Sequence, residues 1–523
     1  MSTSSAVETD RRGADSTTVA ARGDVRRSST YAQILRSSAI IGSSTAANVV
    51  IGLARTKAMA VLLGPAGFGL MGAFTTITDL AKGVAQFGTN SSGVRQIAEA
   101  ASSDDAQRIA LTTRVLRRVT LFLGIVGAVA LALLALPVSQ LTFGNGDHAA
   151  AIALLSLVVL LRVVSDGQGA LLQGMRRIGD MARVNVVSAL VGTVASIVVV
   201  YWLRDDGVAL ALVALTAAST LASWWYARSV PAQAGRVDGA VMASETRELL
   251  RLGAAFMLSA LMTLGAAYVV RIILIQGPGL DAAGLFQAAW TVGGIYITFV
   301  LQAMGADFYP RLVAAANDNA ECNRLVNEQA QVSVLMASAG VLATLTLAPW
   351  AIALLYRSDF VGATEVLRWL CLGMALRVLA WPLGYVLIAK GKRRLFVGAD
   401  LLWTVVNIAL TWWCVGRFGL VGAGIAFFAS YVIHLGVVYA MCRRLSGFRW
   451  SASNLRLAVA FVGSMALLQA AFYALPDVAA TTFGLACTLI AAVGSFAILR
   501  RLADPGLVPE RLSWLLRSTK GDR

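Results

Sequence analysis

Apolar runs of about 20 residues recur from residue 37 to residue 500, and such a run is the length needed to cross a bilayer as a helix. They fall near 37–60, 68–90, 115–137, 149–170, 182–203, 207–227, 250–275, 283–305, 330–355, 363–388, 396–416, 419–441, 455–475 and 479–500. A spanning segment in lipid must satisfy its own backbone, so runs of this length are read as helices. The expectation is an all-α integral membrane protein with about fourteen transmembrane helices. Composition agrees: 58% of the 523 residues are hydrophobic and only 14% are charged, where a soluble domain carries about 25% charged.

The chain holds 44 Lys and Arg against 28 Asp and Glu. Basic excess on a membrane chain reflects the bias of cytoplasmic loops, and no soluble domain carries a basic patch that would fit nucleic acid. On the helix map, alternate loops divide the charge. One set holds only Arg204, Arg357 and Arg417; the other set and both tails hold every remaining loop cation. Both termini are therefore expected on the cytoplasmic side. Residues 1–36, rich in Ser, Thr and Arg, read as a disordered cytoplasmic tail, and residues 502–523 as a second tail.

The chain also resembles itself at an offset of 215. Leu35-Arg36 recurs as Leu250-Arg251, Arg162 as Arg377 and Gly169 as Gly384; Arg55 and Arg271 match within one residue, and the turns Gly64-Pro65 and Gly277-Pro278 within two. Two six-helix lobes in the same orientation follow, 37–230 and 250–442, related by a pseudo-twofold axis, with two extra helices in 453–501. Paired bundles with substrate at their interface are a transporter plan.

Seven cations lie inside the apolar runs: Arg55, Lys57, Lys82, Arg162, Arg271, Arg368 and Arg377. Each costs about 2.5–3.5 kcal/mol at a helix centre unless it faces water or a partner. Asp79 with Lys82, Arg162 with Asp166, and Glu365 with Arg368 stand three or four residues apart, so each pair can neutralise itself on one helix face. Asp79 and Asp166 serve either as such partners or as coupling acids. Arg55, Lys57, Arg271 and Arg377 have no local acid. Lys57 lies about 200° around the helix from Arg55, so Arg55 is placed inward. A cavity holding these cations fits an anion, above all phosphate, which arginine grips with two parallel hydrogen bonds. The expected pyrophosphate-binding set is Arg55, Arg271 and Arg377, supported by Arg162 and Lys82. In the rival arrangement the arginines pair with distant acids such as Asp79 or Asp166.

Asn48, Asn90, Asn407, Thr75, Thr76 and Thr78 either meet sugar hydroxyls or bond between helices. Trp290, Trp381 and Trp403 either stack on sugars or pack, whereas Trp412 and Trp413 read as interfacial anchors. Pro382 and Gly384 suggest a kink. His434 reads as a hydrogen-bonded packing residue. The five cysteines and two histidines show no metal spacing, no nucleotide or catalytic motif is present, and no cofactor is expected.

Leu62-Leu63-Gly64-Pro65-Ala66-Gly67-Phe68-Gly69 and Ser92-Gly93-Val94-Arg95-Gln96 are similar to turns of Wzx-type O-antigen and enterobacterial common antigen flippases. So are Leu355-Tyr356-Arg357-Ser358-Asp359-Phe360 and Trp381-Pro382-Leu383-Gly384-Tyr385 with Ile388-Ala389-Lys390. The resemblance spans roughly residues 32–442 and implies the multidrug/oligosaccharidyl-lipid/polysaccharide exporter superfamily. It implies a bacterial inner-membrane flippase moving undecaprenyl-pyrophosphate-linked oligosaccharide for O-antigen or exopolysaccharide, with no enzymatic step. The partners it implies are that lipid-linked glycan, the lipid bilayer, and polymerase and chain-length proteins of the same pathway. The spacing from Arg55 to Gly64 resembles the first helix of lipid II flippases, where an arginine faces the central cavity. Lipid II flippases have fourteen helices and close Wzx relatives twelve, so a peptidoglycan-precursor flippase stays open. In that case 453–501 either forms a groove for the lipid tail or merely packs. A drug or cation exporter of the superfamily would want unpaired acids. A polymerase would want a sizeable outer loop.

Overall fold

A computed structural model describes residues 6–103, 105–230 and 239–502, with some side chains inside those helices also outside the description. The described residues are helical throughout, without strands. The first helix, α1, runs Ala6–Gln86 and breaks at Gly64, whose φ of 65° belongs to the left-handed region, just before Pro65. Glycine alone takes that φ without cost, and proline at a first helical position restarts a helix readily. α1 thus consists of two arms. The helix extends back to Ala6 through a stretch in which Ala, Arg and Glu are good helix formers. The side chains of residues 1–41 and all of 503–523 lie outside the description.

After α1 come α2 (Thr89–Ser102), α3 (Ala106–Leu133), α4 (Ala135–Phe143), α5 (Ala149–Gly174), α6 (Ile178–Leu203) and α7 (Val208–Ala227). α8 (Gly239–Gln276) and α9 (Leu280–Ala314) open the second half. α10 (Asn319–Thr346), α11 (Ala348–Leu355), α12 (Ala363–Ala389), α13 (Arg393–Phe418) and α14 (Val421–Ser446) complete it, followed by α15 (Ala452–Ala474) and α16 (Asp477–Leu502). Ten described stretches are long and apolar enough to cross a membrane. Two of these, Gly42–Gln86 and Ile178–Ala227, contain two arms each. A belt of exposed apolar side chains, Phe122, Leu133, Trp202, Leu221, Trp412 and Val478 among them, faces outward, as a hydrocarbon solvent requires. α12 runs Ala363–Ala389 with Pro382 inside it.

The turns of α1 at Gly64, of η-type turn 204–207, of 277–279 and of 356–362 share one face. Arg204 Nη1 donates to Leu62 O and Arg357 Nη1 to Val61 O, each at 3.3 Å. These bonds occupy carbonyls that the first arm leaves open where it ends. Lys57 Nζ donates to Leu354 O at 2.7 Å at the same face. At the other face Arg117 reaches Ala227 O, Lys390 reaches Ala316 O, and Asn323 reaches Ser446 O.

The two halves meet along the second arm of α1, α8 and α9. Near the Gly64 face, a Cβ at Gly69 would collide with Leu280 O, and one at Gly284 with Pro65 O. Residues 69 and 284 are 215 apart, and so are 65 and 280. Each contact is the mirror of the other under one two-fold operation, as an isologous interface demands. The repeat legible in the sequence is therefore a repeat in space. Toward the other face, a Cβ at Gly88 would strike Gly253 O and one at Gly253 would strike Phe87 O. α15 and α16 pack on α10 and α12, at the flank of the second half.

Candidate functional site

Between the Gly69–Gly284 crossing and the Gly88–Gly253 contact lies a cavity of about 240 Å³. Gly72, Thr75, Thr76 and Asp79 of α1 line one wall; Thr263, Ala267 and Arg271 of α8, Gln287 and Trp290 of α9, and Trp403, Asn407 and Thr411 of α13 line the other. The two walls differ in chemistry.

Arg271 belongs to the second wall and is 6% exposed. Its Nη1 donates to Ala283 O at 2.9 Å, and its Nη2 donates to Gln287 Oε1. Phe286 lies 5.8 Å beneath the guanidinium. No carboxylate lies within ion-pair distance of it among the described residues. Its position depends on Gly72, since a Cβ there would sit 3.1 Å from Gln287 Oε1 and 3.2 Å from Arg271 Nη1. Position 72 is 215 residues before 287, so the glycine that makes room and the glutamine that holds the arginine are repeat mates.

Asp79 joins the first wall to a compensated charge cluster behind it. Lys82 Nζ lies 2.7 Å from Asp166 Oδ2, and Arg162 Nη1 donates to Asp79 Oδ1. The expected pairing within one helix is thereby corrected: both pairs run between α1 and α5. The i, i+3 and i, i+4 spacing aims both charges of each helix at the same neighbour, so each finds its partner there. In the second half the same offset puts Gly294, Ile297 and Trp381 where Asp79, Lys82 and Asp166 stand in the first. Arg377 therefore lacks the partner that Arg162 has.

The structure separates the expected cation set. Arg271 lines the cavity, and Arg162 reaches it only through Asp79. Lys82, Arg55 and Arg377 do not line it. Arg55 is half-buried on the first arm, without an ion pair among the described residues. Arg377 is half-buried on α12, where its field and that of Asp400 reach Tyr431. Glu365 and Arg368 do not pair. Glu365 accepts from the Tyr473 hydroxyl at 2.5 Å, and Arg368 stacks 3.5 Å over Phe472. Among the polar candidates, Thr75, Thr76 and Asn407 line the cavity. Thr78 is buried and turned back on Phe74 O and Thr75 O, while Asn48 and Asn90 are exposed elsewhere.

Trp290 and Trp403 belong to an aromatic ladder. Trp290 stacks on Phe286 and meets Phe427 edge-on at 5.3 Å; Phe427 meets Tyr431 at 5.0 Å; Tyr431 meets Trp403 at 5.5 Å. Trp381 instead packs with Phe308 and Tyr385. Trp403 Nε1 is buried without a partner, and so is Nδ1 of His434, correcting the expectation that His434 is hydrogen-bonded. Trp403, Asn407 and Thr411 recur at every fourth residue of α13, which lays a ring, an amide and a hydroxyl in one stripe. Sequence reasoning missed Gln287, Thr411 and Phe427. The signal for Gln287 was available: it is the repeat mate of a glycine.

Among the described residues no group of His, Cys, Asp and Glu could hold a metal ion. The cysteines are unpaired, four buried and Cys487 half-buried, as expected of apolar fillers.

Two helical lobes closing on a cavity lined by aromatic, hydroxyl, amide and charged side chains, inside an apolar belt, define an integral membrane protein of transporter fold. Residues 58–365 match the profile of a family described as "Polysaccharide biosynthesis protein", and the chain belongs to that family. It is 24% identical over 415 residues to the "Lipid III flippase" of Escherichia coli (strain K12), covering 77% of this chain and 97% of that one. The "Lipid III flippase" of Shigella flexneri matches to the same extent. Among solved structures, the lipid II flippase MurJ in an inward closed conformation superposes with a TM-score of 0.66 at 11% identity, over 88% of this chain and 98% of that one. A multidrug resistance MATE family transporter of the MOP superfamily, inward-facing, gives 0.65 at 17% identity, over 76% and 95%. These likenesses establish the fold.

Proposed function

We propose that this protein is a flippase for lipid-linked oligosaccharide, carrying a glycan on undecaprenyl pyrophosphate from the cytoplasmic to the outer leaflet of a bacterial inner membrane. The observation that carries the reading is Arg271: a buried guanidinium on a cavity wall between the lobes, held by a carbonyl and an amide rather than by a carboxylate. A charge kept there without an anion is costly, and an anionic headgroup compensates it. Arg271 and Gln287 bind the pyrophosphate. The stripe Trp403, Asn407 and Thr411 with Trp290 on the same wall, and Thr75 and Thr76 opposite, receives the first sugars by stacking and hydrogen bonds. The Asp79–Arg162 and Lys82–Asp166 pairs answer the movement of charge through the cavity. The cavity of about 240 Å³ accommodates a headgroup rather than a whole repeat unit, which fits a closed state that opens on substrate. Alternating access then follows from rocking of the lobes about the two glycine contacts.

The cation-poor Gly64 face is the outer one and both termini are cytoplasmic. Polymerase and chain-length proteins of the same pathway are its functional partners. A drug or cation exporter fits less well, because Asp79, the carboxylate on the cavity wall, is already paired with Arg162.

The test is complementation of a deletion strain at matched expression. Arg271→Ala is expected to abolish surface polysaccharide, with lipid-linked repeat units accumulating on the cytoplasmic leaflet. Arg271→Lys keeps the charge but loses the two-pronged grip and is expected to retain about a tenth. Undiminished surface polysaccharide with Arg271→Ala would overturn the reading.

A further inference from the structure

A second recess lies against the other flank of the α1–α8 seam. It has a volume of about 400 Å³ and is lined by α1 from Ile77 to Ala85 with Phe87 just beyond its end, by α3 and the start of α4, and by Tyr268 of α8. No charged residue lines it. Its single hydroxyl, on Tyr268, is shared with Thr142 Oγ1 at 2.7 Å, so the wall offers a ligand no free polar group. Val84, Val126 and Leu134 on its rim are each about half exposed, which opens the recess to hydrocarbon rather than to water.

The recess and the cavity are divided by one helix thickness. On α1, Thr76 and Asp79 face the cavity, while Ile77, Leu80 and Val84 face the recess. On α8, Leu264 and Ala267 face the cavity and Tyr268 the recess. At the seam Gly83 faces the side-chain ends of Leu264 and Leu261, and Ala81 and Ala85 flank it. Small residues and the ends of two flexible leucines part more easily than interdigitated large ones. The wall from Ile77 to Phe87 spans about 15 Å.

We infer that this groove holds the first isoprene units of the substrate's lipid chain while the pyrophosphate occupies the cavity. The inference rests on the flippase reading. A headgroup taken between the lobes must leave its hydrocarbon tail in the bilayer, because drawing the tail into a polar cavity forfeits about 0.8 kcal/mol per CH₂. The tail therefore crosses a seam between the lobes. Here the seam is lined by small residues, and the apolar groove begins directly beyond it. The occupant is the isoprenoid of the carrier, since continuity with the Arg271 cavity is what selects this groove from the rest of the lipid-facing surface. The α15–α16 pair, packed on α10 and α12, has no such continuity.

The test uses the full-length protein in lipid nanodiscs with a diazirine placed in the first isoprene units of undecaprenyl pyrophosphate. A diazirine-bearing phosphatidylcholine is the control. Cross-links mapped by mass spectrometry are expected on 77–87 and 123–138, competed by unlabelled undecaprenyl pyrophosphate. Filling the groove from its lipid-exposed rim with Ala130→Trp or Val84→Trp is expected to lower that labelling at least five-fold, with melting temperature unchanged and labelling elsewhere retained. Competed labelling that maps to α15–α16, or equal labelling of the groove by the phosphatidylcholine probe, overturns the groove and leaves the flippase standing. Failure of undecaprenyl pyrophosphate to bind saturably at all overturns both.

Discussion

Arg271 concentrates the chemistry of the molecule in one side chain, and its neighbours test how. Gln287 holds the guanidinium and Gly72 leaves space for it. Gly72→Val is expected to displace the guanidinium and to cut surface polysaccharide about ten-fold, while Gln287→Ala weakens it less; sugar analysis of whole cells at matched expression reads both. The Asp79–Arg162 pair makes a different prediction. Its side chains are each 33% exposed, so breaking it costs less than the 3–5 kcal/mol of a fully buried pair, about 1–3 kcal/mol. Asp79→Asn alone is expected to lower the melting temperature in detergent, and Asp79→Asn with Arg162→Gln to recover most of the loss. No recovery would mean that the pair does not act as a unit. His148 supplies a pH dependence. It lies at the Gly64 face, 4.2 Å from the Phe143 ring, and burial among aromatics lowers its pKa against the opposing pull of Asp147. A lowered histidine pKa means that the unfolded chain binds the proton more readily. Stability is thus full above the ordinary histidine value of about 6.5 and falls as pH drops below it toward the folded value. Melting curves between pH 7.5 and 5 should show that decline in the parent and a smaller one in His148→Phe.

At the scale of helices, the sequence was explicit where physics is local. Run length announced the helices, and Gly64-Pro65 announced a turn because one residue supplies the left-handed φ and the next a helix start. Charge partners were less legible. Three- and four-residue spacing showed that Asp79 with Lys82, and Arg162 with Asp166, share a face, yet spacing within a helix cannot say which neighbour that face meets. The answer required α1 and α5 to be side by side. Likewise Arg55 and Arg271 matched in the repeat, but only Arg271 reached the cavity wall: Val270, the exact mate of Arg55, lines the cavity beside it, whereas no residue of the first arm of α1 does. Glu365 found a tyrosine and Arg368 a phenylalanine on α15, a helix outside the repeat. The glycine crossing gives the prediction of this scale. Gly69→Ala or Gly284→Ala places a methyl against a backbone oxygen of the opposite lobe. Either is expected to hold the Gly64 face apart, and a cysteine at Thr75 should then react with a water-soluble thiol reagent at least ten times faster than in the parent crossing.

For the whole molecule, the two-fold relation was visible in the sequence as an offset of 215 and returned in space as the reciprocal contacts of Gly69 with Leu280 and of Gly284 with Pro65. What the offset could not convey is how unlike the two walls had become. Where the first half holds Asp79, Lys82 and Asp166, the second holds Gly294, Ile297 and Trp381. One wall is charged and internally neutral; the other is aromatic with one lone cation. Membrane orientation belongs to this scale too. A cysteine at Asn145 is expected to react with an impermeant reagent in intact cells and one at Ser229 only after lysis; the reverse pattern would invert the proposed topology.

The end of the first arm of α1 is gripped by Arg204 from one lobe and Arg357 from the other. A helix tip tethered to both sides of a hinge cannot follow both when they separate. Any opening stroke must unfasten one guanidinium and leave the other tied, so these two arginines record, in which of them lets go, the direction in which the machine has turned.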